Sequence, residues 1–171
     1  MLEILKYTIP ALIVLATSWA LISSLLKAQL KEQELKLKEN TKHITTPIRL
    51  QAYERLALLM ERIDLFHLNS QLRTPSMTVA ELQLLMTNQI RLEFDHNVSQ
   101  QIYVSNELWA RVRSTKEEMI MTINKLGMNI SPNIPAKELS RALLEYLNEL
   151  DGVLPTQTTL EAIKAEAKFI F

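Results

Sequence analysis

The chain has 171 residues, 47% of them hydrophobic and 22% charged, which is too apolar for a disordered polypeptide and long enough for one ordinary domain with an appendage. With no Cys and only two glycines, Gly127 and Gly152, it excludes disulfide frameworks, thiol nucleophiles, cysteine-held metals and any glycine-rich phosphate loop. Nineteen basic residues balance nineteen acidic ones, so no bulk charge draws the chain to nucleic acid or to an anionic surface.

Twenty uncharged residues, Tyr7 to Leu26, lie between Lys6 and Lys27. At about 1.5 Å per residue such a helix is about 30 Å long, the thickness of a bilayer's hydrocarbon core. Nine of the twenty are Leu, Ile or Val, worth roughly 3 to 5 kcal/mol of insertion, less what Pro10 and the Ser and Thr residues subtract. Tyr7, Pro10, Trp19 and Lys27 mark this expected anchor, with Pro10 in the first turns, where a missing donor does little harm. A cleaved secretory signal is the rival reading, with Lys6 as its basic region and Ser18-Trp19-Ala20 as a small-x-small site. Five lysines against three glutamates follow from Lys27 to Thr46, while the N-terminal tail has Lys6 alone among its lysines. That asymmetry predicts a single-pass protein with its N-terminus outside and the bulk of the chain cytoplasmic. From Pro47 on, thirteen basic residues face fifteen acidic ones, a net of −2, which disfavours nucleic acid as a partner.

The expected organisation is a transmembrane anchor over 1–27, a charged helical stalk over 28–46 and a helical cytoplasmic domain over 47–171. The stalk carries Glu32–Lys36 and Glu34–Lys38 at i,i+4 and should end at Thr45-Thr46-Pro47, because proline disfavours helical geometry in the residue before it. Pro47 to about His67 reads as a second helix, with Ile48, Ala52, Leu56, Leu59, Ile63 and Phe66 on one stripe and Leu50, Ala57, Leu58 and Leu65 on the other side. Asn69 to Ser76 reads as a loop, and Thr78 with Glu81 forms a capping box for a third helix. Asn97 to Val104 reads as an irregular or extended connection, and Ser105 caps a fourth helix that Gly127 should close. A fifth helix over Leu139 to Leu150 should stop at Gly152, and Thr158 with Glu161 should box a last one. The fold class is therefore all-α: a transmembrane helix continuing into a stalk, then a bundle of about five helices.

Asp64 precedes His67 by three and Glu93 precedes His96 by three, the carboxylate-x-x-His spacing with which helical bundles hold two metals. These four are the candidate metal ligands of an alternative reading, a membrane-associated metal-dependent enzyme. The ordinary account is histidines at helix ends, favoured there by the helix dipole, and no cofactor is expected. No Ser lies in a strand-turn-helix elbow of the hydrolase kind. Arg55 and Arg62, seven apart on one helix edge, need partners or solvent, and Glu93 and Asp95 could serve.

The stretches Pro47 to Leu56, Met60 to Ile63 and Glu93 to Ser105, with Leu2 to Ala11, resemble an uncharacterised family of small single-span bacterial membrane proteins, a domain of unknown function. The resemblance implies an anchor plus a helical cytoplasmic domain and no activity. The Asn, Gln and Tyr of the third stretch fit either bonds to turn backbone or a docking surface. The expected function is thus that of a non-enzymatic, membrane-anchored accessory or scaffold protein that binds a protein partner or its own copies. Arg55, Arg62, Asn97, Gln100, Gln101 and Tyr103 are the candidate interaction residues, and lipid is met through the first helix.

Overall fold

The computed structural model describes residues 2–150 and 154–169, without the side chains of 2–11 and 38–44. Among these described residues six α-helices and one 3-10 turn follow in order: α1 Leu2–Arg62, α2 Leu65–Leu72, α3 Val79–Asn97, the 3-10 turn Val98–Ile102, α4 Asn106–Met128, α5 Lys137–Glu149 and α6 Pro155–Lys168. The chain divides into two compact units, Met1–Thr45 and Thr46–Phe171.

In the first unit the described part of α1 has no buried residue. Leu12, Ile13, Val14, Leu15, Trp19, Leu21, Ile22, Leu25 and Leu26 are all more than half exposed. The stretch Leu12–Leu37 is long and apolar enough to cross a membrane. Thr17 and Ser24 turn their hydroxyls back onto the helix, donating to the carbonyls of Ile13 and Leu21 at 2.9 Å each, so their polarity is spent internally. Glu32 and Lys36 form the expected pair at 2.8 Å.

The helix does not end at Thr45-Thr46-Pro47 as the sequence suggests; α1 runs through to Arg62. Proline removes one N–H from the ladder and disfavours, without forbidding, helical geometry before it, and the turns on either side carry the interruption. The break comes instead at Ile63–Asp64. Asp64 is extended (φ −60°, ψ 135°) and caps α2, so the segment from Leu65 to Leu72 is a separate helix where a helix end and a loop were expected. Aspartate is a poor interior helix residue and a strong N-cap, and the bend lets Ile63, Leu65 and Leu68 all point into the core.

The second unit has one core, joining Leu56, Leu59 and Met60 of α1 and Ile63 just beyond it to Leu82, Met86 and Ile90 of α3, Val112, Met119 and Ile123 of α4, and Leu139 and Leu143 of α5. Of the second helix's expected main stripe, Ala52, Leu56, Leu59 and Ile63 are buried but Ile48 and Phe66 are not. Phe94 stacks on Trp109 with centroids 5.3 Å apart, and the Lys116 ammonium sits 4.7 Å from the Phe94 ring centroid.

The Thr78–Glu81 capping box is present, with both reciprocal bonds formed, and Ser105 caps α4. Two other expected caps are not. Gly127 lies inside α4, which Asn129 closes; its lack of a side chain lets Gln83 approach, since a Cβ there would collide with the Gln83 amide. Thr158 is likewise inside α6, which starts at Pro155 in the first helical position, so Glu161 pairs with Lys164 rather than with a cap. Gly152 lies outside the described residues. The Ser131–Pro135 loop is pinned to the start of α3 by Val79 N–H to the Ile134 carbonyl (2.9 Å) and Ala136 N–H to the Met77 carbonyl (2.8 Å).

Burial separates the leucines sharply. Leu56→Ala is expected to lower the unfolding free energy by about 2–5 kcal/mol, whereas Leu84→Ala, on the exposed side of α3, changes it by less than about 0.5 kcal/mol; denaturant titration of the full chain in micelles measures both.

Candidate functional site

Arg55, Leu58, Leu59, Arg62, Glu93, His96 and Asn97 line an open groove of about 310 Å³ where α1 lies beside α3. Spacing of three, four and seven puts Arg55, Leu58 and Arg62 on one edge of α1. Arg62 donates to Glu93 Oε2 at 3.2 Å, the partner the sequence suggested, and Gln89 donates to Glu93 Oε1 at 3.0 Å. The Glu93 side chain is largely covered while Arg62 is 58% exposed, so the pair holds the floor of the groove with its cation still facing water.

The four candidate metal ligands are not brought together, and no group of three or more His, Asp or Glu among the described residues is arranged to hold an ion. Asp64 Oδ1 accepts from the N–H groups of Phe66 and His67 (3.0 and 3.3 Å), and Oδ2 accepts from the Thr156 hydroxyl (3.1 Å). Because the helix breaks at Asp64, that carboxylate and His67 no longer share one helical face. His96 is exposed in the last turn of α3, the place the helix dipole favours.

The segment after α3 is a 3-10 turn, not an extended connection, and its polar side chains divide between burial and exposure. Asn97 is buried and donates to the Glu93 carbonyl at 2.8 Å; Gln100 is buried and donates to Ser99 Oγ at 3.1 Å. They brace the turn. Gln101 is exposed, and the half-buried Tyr103 offers its carbonyl to Arg49 Nε at 3.2 Å. Of the anchor residues, Trp19 and Lys27 are exposed on α1; the side chains of Tyr7 and Pro10 lie outside the described residues, as does that of His43.

A second polar cluster escaped the sequence reading. Glu166 on α6 accepts from the Tyr53 hydroxyl (2.8 Å) and the Ser105 N–H (2.8 Å) with one oxygen, and from the Ser105 hydroxyl with the other. Arg49 donates to Tyr53 Oη at 3.2 Å behind it. Partial burial pushes the Glu166 carboxyl up, but the two Ser105 donors, the Tyr53 hydroxyl and the Arg49 charge outweigh it, leaving the pKa below its ordinary value. Burial and the hydrogen bond to Glu166 push the Tyr53 phenol up. The Ser105 hydroxyl also accepts from the Leu108 N–H (3.1 Å), so one carboxylate ties α6 to the cap of α4 and to α1. The available signal was a charged residue three positions after Ile163, on the inward side of α6.

With its groove and its apolar first helix, this is an all-α protein in which, among the described residues, one helix is long and apolar enough to cross a membrane. A family of unknown function, DUF7935, matches residues 1–170, and the chain belongs to it. No curated protein and no solved structure matches the chain.

The sign of the Glu166 effect is fixed by its depressed pKa. Its stabilisation is complete above the ordinary value of 4.5 and is lost as pH falls below that through the folded-state value. Glu166→Gln should therefore melt lower at neutral pH and lose less on acidification than the parent chain, which circular-dichroism melts at about pH 7 and pH 3 compare.

Proposed function

We propose that this chain is a single-pass, membrane-anchored accessory or scaffold protein without catalytic chemistry, whose helical domain meets protein partners at the cytoplasmic face of a bacterial inner membrane. The observation that carries this reading is the bare apolar surface of residues 12–26, which no part of the described chain covers. A contiguous apolar surface of that length is costly in water and at home in lipid. The lysine excess after Lys27 supports the inward orientation. The groove with Arg55 and Arg62 supports protein docking, because arginine is enriched among the residues that anchor protein interfaces. Tethering makes a weak surface effective by confining both partners to one layer.

Alkaline carbonate extraction followed by vesicle flotation tests the anchor. The parent chain should stay with the membrane. Leu15→Arg with Leu21→Arg, at a cost of about 2.5–3.5 kcal/mol each near a helix centre, should release a large fraction into the supernatant. Protease added from the periplasmic side should spare residues 47–171; their digestion would overturn the orientation.

A further inference from the structure

The outer face of α1 between Glu54 and Arg62 carries an ordered charge pattern that the bundle leaves uncovered. Leu58 is 48% exposed at its centre. At about 100° per residue, Glu54 and Glu61 fall on one flank of that leucine, and Arg55 and Arg62 on the other. All four charged residues are exposed. Arg62 keeps most of its guanidinium in solvent while touching Glu93, and among the described residues Glu54, Arg55 and Glu61 form no ion pair.

We propose that this face docks a second copy of the same chain, α1 against α1 in parallel, leucine on leucine. In a parallel pair related by a two-fold axis along the helices, the arginine flank of each copy lies against the glutamate flank of the other, on both edges of the contact. In an antiparallel pair arginine would meet arginine and glutamate would meet glutamate. The pattern therefore selects the sense open to two copies inserted in one bilayer with the same topology, and here the inference rests on the tethered reading above. The patch is about two and a half helical turns long, too small to hold free monomers together, and sufficient once the bilayer has raised their local concentration. Burying Leu58 against its equivalent supplies the apolar contact, and the flanking charges supply sense and register.

Oxidative crosslinking of the full chain in vesicles tests this directly, because the natural sequence has no cysteine. Leu58→Cys should give a disulfide-linked dimer in far higher yield than Ser114→Cys, an exposed control on α4. On the Leu58→Cys background, Arg55→Glu alone should lower the yield about threefold and leave the Arg62–Glu93 contact intact; R55E/R62E should lower it roughly tenfold. Mixing the R55E/R62E chain with an E54R/E61R chain should restore it, since each then presents the flank the other lacks. Equal yields at positions 58 and 114, or a mixture no better than either charge variant alone, would overturn the pairing. Flotation of the same samples reads the tether separately: a chain that floats without crosslinking sinks the pairing alone. A chain that fails to float sinks the tether, and the pairing that depends on it falls too.

Discussion

A carboxylate held half-buried at the meeting point of α1, α4 and α6 organises the second unit. Glu166 accepts three hydrogen bonds, one from Tyr53, buried on α1, and two from the N–H and hydroxyl of Ser105, whose hydroxyl also caps α4. A buried acceptor of this kind costs desolvation and repays it only when every donor is in place, so it fixes register more than it adds stability. The rest of α6 follows the same plan. Its inward face holds Thr156, Thr159 and Ile163, with Thr159 hydroxyl-bonded to Thr115 at 2.7 Å and Thr156 bonded to Asp64. Ile163 is the one apolar side chain of α6 that is fully buried among the described residues.

Seen from the chemistry of its surface, α1 serves two solvents. In the first unit its described leucines and isoleucines face outward without cover; in the second, Ala52, Leu56 and Leu59 are sealed into a helical core. The amino-acid types are similar in both places. What distinguishes them is periodicity, continuous apolar character in the first and a stripe at three and four in the second.

Much of this was legible beforehand. The all-α class, the apolar first helix, the Thr78 and Ser105 caps and the Arg62–Glu93 contact all rest on short-range rules, and local rules read directly from sequence. Pro47, Gly127 and the Thr158–Glu161 pair each carry a strong local preference that lost to a neighbour: the helical turns on either side of Pro47, the Gln83 amide lying against Gly127, and Pro155 in the first position of α6. The break at Asp64 was hidden because Ile63, Leu65 and Leu68 keep apolar spacing that a continuous helix would also satisfy. Glu166 was out of reach for a different reason: its donors lie 113 and 61 positions away, and no periodicity links residues so distant.

That distance shapes how the domain is assembled. The Tyr53–Glu166 contact closes a loop of 113 positions, and long closures come late because their entropy is lost before any bond is gained. During translation α6 leaves the ribosome after helices α1 to α5, so these pass an interval with the seat of α6 empty and Tyr53 bare. A nascent domain in that state shows quality-control proteases and chaperones a surface that the finished protein hides, and the docking of one polar-faced helix is what removes it from their view.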